Sequence, residues 1–427
     1  MRRKYLALLL MAFALVALTA CGKEKGIEKP IEEDGNLSSL EGIWDGAIDA
    51  AGQSLPITIS IDEKGGQISI PAQGLHDYKL SKVELKDSKL TMEMTLQGQK
   101  MTFQGVKDET GLSGTFTQAG QKFPFQLKLR EPELGQRVEV DVTGGTMSAL
   151  LVEPKGEGPF PIMVIIAGSG PTDKDGNSDV MAGNNDSLKM VAQSLAEQGI
   201  ASIRYDKRGI GDNRSLMTKE EDIRLDDFIE DAAAFAEWAK KDSRFNKVGI
   251  IGHSEGSLVG MVAAKKADTD LFVSLAGIGR PMDVVLKEQL KEALPDELQP
   301  QAFDILDQLK AGHTVKDVPQ ELAAVFRPSV QPYMMSMMAY DPVDSLKQLS
   351  IPVLIINGDR DLQVVPTDAE ALHKAKPESK LVIVPNMNHV LKDSSENREE
   401  NLATYTDPDL PLAKGLMEAV VSFIKEY

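Results

Sequence analysis

The chain contains one cysteine and few histidines, which excludes an intrachain disulfide and argues against a cysteine- and histidine-based metal site. Cys21 is the single cysteine among 427 residues, so no disulfide can form within the chain. The five histidines do not combine with cysteine in any metal-binding spacing. A Walker loop and a dinucleotide-binding glycine pattern are also missing from the sequence. The sequence therefore gives no indication of a metal, nucleotide or dinucleotide cofactor.

Basic residues are fewer than acidic ones, with 47 lysines and arginines against 65 aspartates and glutamates. The formal net charge is −18 at pH 7, whereas the shares of hydrophobic residues (42%) and charged residues (26%) are ordinary for a globular protein. An acidic surface repels nucleic acid and anionic lipid headgroups, so neither is an expected partner. The length is sufficient for two domains with separate cores.

The first 21 residues differ from the rest. Arg2, Arg3 and Lys4 precede an apolar run over residues 5–18 that is short for a bilayer span, as in a secretory signal. The run ends in Leu18-Thr19-Ala20-Cys21, which resembles a bacterial lipobox. This resemblance implies cleavage after residue 20 and diacylation of Cys21. The alternatives are a plain signal peptide followed by a chance cysteine, and a transmembrane anchor.

Loss of residues 1–20 would remove three positive charges and move the net charge from −18 to −21. Attachment to a membrane would then depend on the acyl chains, of which two suffice for stable anchoring. Residues 22–36 are charged, contain proline and glycine and lack apolar periodicity. We expect residues 21–36 to form a tether, and the protein to be extracytoplasmic and lipid-anchored.

Residues 37–131 predict a small β-rich domain. Apolar side chains alternate with polar ones over residues 55–61, 90–96 and 123–129, and turn signals separate these runs, so antiparallel hairpins are expected. The segment Gly42-Ile43-Trp44-Asp45-Gly46 resembles the start of lipocalin-like barrels. The favoured interpretation is simpler: a buried tryptophan closing one end of a β-sheet.

Residues 137–427 predict a second, α/β domain. Seven apolar strand-like runs alternate with amphipathic helical patterns, which indicates a mostly parallel central sheet with helices on both faces. The predicted strands are 147–153, 162–167, 201–205, 248–251, 271–275, 353–356 and 381–384. The predicted helices are 187–198, 225–241, 254–267, 367–376 and 414–427. From about 281 to 346 only helical, proline-interrupted stretches occur, and we interpret these as a helical cap.

One motif in this domain carries chemistry. Gly252-His253-Ser254-Glu255-Gly256 follows an apolar strand and opens a helix, which is the setting of a G-x-S-x-G nucleophile elbow. Flanking glycines allow the strand and helix to approach closely, so the serine can occupy a strained turn with an exposed hydroxyl. The motif predicts that Ser254 is the nucleophile of a serine hydrolase.

A serine nucleophile needs a histidine base, and in folds with this elbow the order along the chain is serine, acid, histidine. His76 precedes the serine, and His313 falls in the cap. His253 lies inside the elbow, where its side chain is expected to point away from the serine, and His373 lies on a charged helix, where it is expected to be solvated. His389 alone follows a predicted strand on a loop, at the strand ends where active sites of open α/β sheets lie. His389 is therefore the predicted base.

Taken together, residues 137–427 resemble the α/β-hydrolase superfamily, in particular secreted bacterial carboxylesterases of the serine-aminopeptidase-like group. The segment Gly358-Asp359-Arg360-Asp361 and the following residues resemble the family segment Gly-x-x-Asp-x-x-Val, which implies that Asp361 is the triad acid. Asp359 is the competing candidate, interpreted as a brace beside Arg360.

The resemblance also implies an oxyanion hole made of two backbone N–H groups. One would come from Glu255, directly after the nucleophile. The other would come from Ser169, because Ala167-Gly168-Ser169 aligns with the family's His-Gly-x turn. The family histidine is replaced by Ala167 here, but only the amide is required.

Two further polar segments, residues 204–211 and 173–179, have no place in the triad or the oxyanion hole and need an interpretation. Residues 204–211 resemble the family's Asp-x-Arg-Gly-x-Gly turn, which could line a pocket edge but is better interpreted as charges that pin a glycine-rich loop. Asp173, Asp175, Asn177 and Asp179 could suggest calcium, yet the glycine and glutamate of an EF-type loop are missing. We interpret the latter segment as a polar loop at the mouth of the site.

The expected activity is hydrolysis of carboxylic esters through an acyl-enzyme, without a cofactor and with a small-molecule ester as partner. The cap segment 333–338 is rich in methionine and could receive an acyl chain or simply pack on the core. One alternative is a serine aminopeptidase-like peptidase, for which Glu292, Asp296, Glu297 and Glu321 offer carboxylates. A second alternative is a non-catalytic binding lipoprotein on a hydrolase scaffold.

Overall fold

The computed structural model describes residues 37–50, 53–96, 98–130, 133–178, 181, 183–217 and 219–427. The predicted signal peptide, Cys21 and the tether lie outside the described residues, as does Asp179. Within these ranges no helix is both long and apolar enough to cross a membrane. The chain divides into two compact units, a β unit over residues 37–130 and a larger unit that begins at Glu133.

The β unit is one nine-stranded antiparallel sheet, as the alternating pattern predicts. Its strands are β1 Gly42–Ala50, β2 Gln53–Asp62, β3 Gly65–Ile70, β4 Leu75–Lys79, β5 Lys82–Lys86, β6 Lys89–Leu96, β7 Gln99–Asp108, β8 Gly111–Gln118 and β9 Gln121–Leu129. Their spatial order is β4-β3-β2-β1-β9-β8-β7-β6-β5, so the first strand pairs with the last. Every other neighbouring pair follows consecutively in the chain.

The buried face of this sheet is made by the alternating apolar residues. Trp44 is 2% exposed, and its indole N–H donates to the carbonyl oxygen of Leu40 at 2.8 Å. Phe103 packs against Phe116 and Phe125, with ring centroids 4.7 Å and 5.2 Å apart. Trp44 is thus a core residue with its polar atom satisfied, as the simpler interpretation of the opening segment expects.

The larger unit contains an eight-stranded sheet. Its strands are β10 Gln136–Val142, β11 Gly145–Val152, β12 Phe160–Ile166, β13 Ala201–Tyr205, β14 Phe245–His253, β15 Leu271–Leu275, β16 Val353–Gly358 and β17 Lys380–Val384. The spatial order is β10-β11-β13-β12-β14-β15-β16-β17.

This sheet is mixed, so the prediction of a mostly parallel sheet holds for the strands from β13 to β17 and not for β10 and β11. The pairs β10–β11 and β11–β13 are antiparallel, and pairing from β13 through β17 is parallel. A short turn between β10 and β11 enforces the first antiparallel pair, because parallel neighbours need a long crossover. Strand β10 has no counterpart among the predicted strands, since its residues are mostly exposed or half-buried and carry charges.

Helices cover both faces of the sheet. Ile162, Val164 and Ile166 of β12 lie in one apolar cluster, and the intervening Met163 and Ile165 lie in another. The first cluster includes α2 Leu225–Lys241 and α3 Glu255–Lys266, and the second includes α1 Ser187–Glu197 and α11 Leu416–Glu426. The strand alternates between two buried faces, as expected of a sheet packed on both sides.

The predicted helical insertion lies between β15 and β16. It contains α4 Met282–Ala293, α5 Gln299–Lys310, α6 Ala323–Phe326, α7 Gln331–Met338 and α8 Pro342–Lys347. After β16 the chain continues with α9 Pro366–Ala375, and after β17 with α10 Arg398–Ala403 and then α11. In α7, Met334 and Met337 are fully buried in the core, whereas Met335 and Met338 are half-buried. The first two methionines therefore serve packing.

Candidate active site

Ser254 lies at the sharp turn between β14 and α3. Its backbone is strained, with φ of 55° and ψ of −121°, a combination that non-glycine residues rarely adopt. A Cβ atom on Gly252 would lie 2.2 Å from the carbonyl oxygen of Gly256, and one on Gly256 would lie 2.5 Å from that of Ile166. Only glycine fits at either position, so the two flanking glycines of the motif make this turn possible.

The structure brings the three predicted side chains of the triad together. His389 Nε2 lies 3.1 Å from Ser254 Oγ, and His389 Nδ1 lies 2.8 Å from Asp361 Oδ2. All three residues are buried. Ser254 follows β14, Asp361 follows β16 and His389 follows β17, so parallel strand ends gather residues that are distant in sequence. This arrangement can pass a proton from the serine to the histidine.

The two aspartates of the acid loop have different partners. The second oxygen of Asp361, Oδ1, accepts hydrogen bonds from the backbone N–H groups of Gln363 and Val364 at 2.8 Å and 2.9 Å. Asp359 Oδ1 instead accepts from the N–H of Asn386 at 2.7 Å and braces the histidine loop. Asp361 is therefore the aspartate whose carboxylate faces His389.

The predicted oxyanion turns lie next to the nucleophile. A Cβ atom on Gly168 would lie 3.2 Å from the Cβ of Ser254, so the backbone before Ser169 passes directly over the serine. Glu255 is the first residue of α3, and N–H groups in a helix's first turn have no intrahelical acceptor. Two backbone donors can therefore serve one oxyanion, and the roles of Ser169 and Glu255 stay predictions.

Comparison of the sequence with known protein families assigns the chain to one of them. Residues 181–394 match the model of the family described as serine aminopeptidase, S33. The chain belongs to this serine aminopeptidase family of hydrolases. It is also 29% identical over 293 residues to the esterase EstD of Thermotoga maritima, an overlap of 66% of this chain and 67% of the relative.

Solved structures also resemble this member of the serine aminopeptidase family. Est1E of Butyrivibrio proteoclasticus with bound ferulic acid is 21% identical, with a TM-score of 0.44 over 68% of this chain and 96% of that one. A puromycin-hydrolysing peptidase of Mycobacterium tuberculosis is 15% identical, with a TM-score of 0.47 over 90% of this chain and 53% of that one.

His253 is closer to the site than its place inside the elbow suggests. We expected its side chain to point away, but its Nε2 lies 2.8 Å from the backbone oxygen of His389 and the two rings lie 5.0 Å apart. Burial, reinforced by the neighbouring His389, lowers the pKa of His253 to about 4. A neutral ring with its proton on Nε2 can donate to that carbonyl and hold the base loop in place.

This depressed pKa predicts a pH-dependent loss of stability. In the unfolded chain His253 binds a proton near pH 6.5, whereas the folded chain resists protonation until about pH 4. Neutral His253 therefore makes its full contribution to the free energy of unfolding above pH 6.5. As the pH is lowered from 6.5 towards 4, this contribution falls by about 1.4 kcal/mol per pH unit. Replacement His253→Gln keeps an N–H donor without titrating, so its free energy of unfolding should depend less on pH between these values.

Unfolding of the larger unit, which contains His253, can be followed separately from that of the β unit. The chain has two tryptophans, Trp44 in the β unit and Trp238 in the larger unit. Denaturant unfolding at several pH values, measured by Trp238 fluorescence in a Trp44→Phe background, gives the two slopes. Half-buried Asp173, whose pKa is raised by desolvation and by Asp175, is common to both proteins and cancels in the difference. Identical slopes for the two proteins would contradict a neutral His253.

The base loop has a second anchor that the sequence did not reveal. The side-chain amide of Asn388 is fully buried and donates to Thr404 Oγ1 at 2.6 Å and to Asn401 Oδ1 at 3.1 Å. Its oxygen accepts from the backbone N–H of Lys392 at 3.1 Å. Asn388, the residue before His389, is thus held in place by α10 and by Thr404 directly after that helix.

The charged segment 204–211, at the end of β13 and after it, is mostly structural, as expected. Arg204 Nε donates to Asp175 at 2.7 Å, Asp206 accepts from the backbone N–H of Lys174 at 2.8 Å, and Arg208 Nε donates to Asp231 at 2.8 Å. The Asp175–Arg204 pair also shows that the suspected calcium segment is tied to a cation of the protein itself. Among the described residues, no cluster of acidic, histidine or cysteine side chains could hold a metal ion.

Most of the other residues considered from the sequence lie at the surface. The cap carboxylates Glu292, Asp296, Glu297 and Glu321 are all exposed. His76 and His313 are exposed as well, whereas His373, expected to be solvated, is half-buried with Nδ1 3.0 Å from Ser379 Oγ. His389 is the histidine whose ring contacts Ser254.

Proposed function

We propose that this protein is a serine esterase that hydrolyses carboxylic esters through an acyl-enzyme. The observation that carries the proposal is the continuous contact from Ser254 Oγ through the His389 ring to the Asp361 carboxylate at a strained elbow. Family membership supports the broader class of hydrolase, and the esterase relative supports the bond type.

The proposed reaction begins with proton transfer. His389 Nε2 takes the proton of Ser254 Oγ as the oxygen attacks the ester carbonyl carbon, and the carbonyl oxygen becomes an oxyanion. The N–H groups of Ser169 and Glu255 stabilise that charge. His389 then gives its proton to the departing alkoxide oxygen, which leaves an acyl group on Ser254.

Water completes the cycle by the same route. His389 removes a proton from water, the hydroxide oxygen attacks the acyl carbon, and collapse of the second oxyanion releases the acid and restores Ser254 Oγ–H. Throughout, Asp361 holds the Nδ1 proton of His389 and stabilises the positive ring, without accepting the proton itself. Protons move between Ser254, His389, water and the substrate, and collapse of each oxyanion back to a carbonyl supplies the electron pair that breaks the bond to the leaving oxygen.

An aminopeptidase-like activity is the second candidate, because the matched family is described by that activity. Such an enzyme needs carboxylates around the substrate amine, and the four cap carboxylates considered for this role are exposed. Amide leaving groups also need stronger acid assistance than ester leaving groups. We therefore place ester hydrolysis first.

Turnover of matched substrates tests this order. We expect wild-type protein to hydrolyse short-chain p-nitrophenyl esters far faster than aminoacyl p-nitroanilides, and Ser254→Ala to lose both activities. Ser257→Ala is the matched control, because its hydroxyl bonds Ser274 Oγ at 2.7 Å rather than the triad. Faster amide than ester turnover would favour the peptidase, and no turnover of either would favour a binding protein on a hydrolase scaffold.

We also propose that the enzyme is lipid-anchored through Cys21 on the outer side of a bacterial membrane. The support is the lipobox-like sequence before Cys21. Expressed in a bacterium fed labelled palmitate, the wild-type chain should take up the label and sediment with membranes, and Cys21→Ala should do neither. Label retained by Cys21→Ala would contradict the assignment.

A further inference from the structure

Lys207 is a buried lysine whose ammonium reaches the oxyanion turns. Its Nζ donates a hydrogen bond to the carbonyl oxygen of Gly168 and lies 3.9 Å from Glu255 Oε1. It lies in the charged segment after β13, where its neighbours Asp206 and Arg208 bond to other parts of the scaffold. A buried charge is costly unless it is well paired. Arg208 has a close carboxylate partner in Asp231, whereas the carboxylate of Glu255 is 3.9 Å from Lys207 Nζ, so burial of this lysine calls for a functional explanation.

The carbonyl that Lys207 binds belongs to the same peptide unit as a predicted oxyanion donor. The peptide between Gly168 and Ser169 contains the Gly168 oxygen and the Ser169 N–H. In a planar trans peptide these two groups point in opposite directions. An ammonium on the oxygen side therefore turns the Ser169 N–H to the other side of the peptide plane and prevents the unit from flipping.

The same ammonium also polarises this peptide. Positive charge on the oxygen draws electron density from the nitrogen, so the N–H becomes a stronger donor, as in a chain of hydrogen bonds at low dielectric. The next carbonyl, that of Ser169, is fixed separately by Thr172 Oγ1 at 2.7 Å. Both ends of Ser169 are thus held by side chains from outside the triad.

The counter-charge comes from the other oxyanion residue. Glu255, whose N–H is the second predicted donor, is 2% exposed. Its carboxylate faces Lys207, and it also lies close to Tyr333 on cap helix α7, since burial and the negative charge of Glu255 raise the pKa of the Tyr333 hydroxyl. Tyr333 in turn packs against Phe228, over whose ring Lys207 Nζ lies at 5.5 Å. One ammonium therefore connects the two oxyanion turns to each other and to the cap.

We propose that Lys207 is a positioning residue for the oxyanion hole, which orients and polarises the Gly168–Ser169 peptide so that its N–H stabilises the tetrahedral oxyanion. This inference deepens the proposed esterase function and rests on it. Lys207 does not touch the reacting atoms; it acts through the peptide it binds. The competing interpretation is that Lys207 only neutralises buried Glu255.

Two variants separate these interpretations. Lys207→Met removes the charge at similar length but leaves Glu255 buried without its partner. The double variant Lys207→Met/Glu255→Gln removes both charges, so the unpaired carboxylate is no longer present. Lys376→Met is the matched control, since Lys376 is also buried and also donates to a carbonyl, that of Leu349 at 2.7 Å, with Glu378 as its ion-pair partner.

We expect kcat for a p-nitrophenyl ester to fall about 10- to 100-fold in both Lys207 variants, because a weakened oxyanion donor lowers the rate by up to about 10³-fold. KM should change little, since the ground-state carbonyl needs the donor less than the oxyanion does. The hemiketal formed by Ser254 with a trifluoromethyl ketone should show the same loss. Followed by ¹⁹F NMR, the pKa of its hydroxyl should rise by about one pH unit or more.

Recovery of kcat and of the hemiketal pKa in the double variant would overturn the proposal, because neutralisation of Glu255 would then explain the lysine. An increase in KM with unchanged kcat in Lys207→Met would overturn it too. Lys376→Met should match wild type in both measurements. Failure of the esterase function itself is distinguishable, since wild-type protein would then show neither ester turnover nor hemiketal formation.

Discussion

Replacement of His389 by alanine is expected to lower kcat for ester hydrolysis by about 10⁵- to 10⁶-fold, the range seen when a triad base is removed. The reason is geometric: His389 Nε2 lies 3.1 Å from Ser254 Oγ, and without it the hydroxyl keeps its proton. Initial rates with a p-nitrophenyl ester at saturating concentration provide the measurement.

His373→Ala is the control for this prediction. His373 is half-buried and has a hydrogen-bond partner, but that partner is Ser379 rather than a triad residue. Its kcat should remain within a few-fold of wild type. A His389→Ala protein that retained a few per cent of wild-type kcat would show that another group acts as the base.

Asp361→Asn is expected to lower kcat by about 10⁴-fold, because an amide facing His389 Nδ1 favours the wrong ring tautomer. In the structure Asp361 Oδ2 lies 2.8 Å from that nitrogen, and its other oxygen is held by two backbone N–H groups. The substitution preserves the shape of the side chain, so the loss reports on charge and tautomer.

Asp359→Asn provides a control from the same loop. Asp359 accepts its hydrogen bond from the backbone of Asn386, and an asparagine oxygen can accept the same bond. We expect its kcat to stay close to that of wild type. If Asp359→Asn lost activity by orders of magnitude while Asp361→Asn did not, the assignment of the acid would be wrong.

The sequence was sufficient for the parts of the site that depend on local pattern. The elbow could be predicted because strand, glycine-flanked serine and helix are contiguous between residues 245 and 266. His389 could be selected because just one histidine follows the serine at the end of a predicted strand. Parallel strand ends then bring such residues together without any further information.

Contacts between distant segments could not be predicted in this way. Lys207 looked like one more charge in a pinned loop, and its bond to Gly168 depends on the crossover from β12 to β13. Tyr333 lies in the cap, and nothing in a methionine-rich helix indicates that its hydroxyl lies close enough to Glu255 for that carboxylate to raise its pKa. Pairing of β1 with β9 was equally hidden, because alternation defines a strand's faces but not its neighbour.

The most direct test of the central claim is covalent labelling of the nucleophile. A serine-reactive fluorophosphonate added to wild-type protein should attach one group, and peptide mass analysis should locate it on Ser254. Ser254→Ala should remain unlabelled under the same conditions, whereas Ser257→Ala, altered three residues further on in α3, should be labelled normally. Undiminished labelling of Ser254→Ala, or a label located on any other residue of the wild-type chain, would contradict the assignment of Ser254 as the nucleophile.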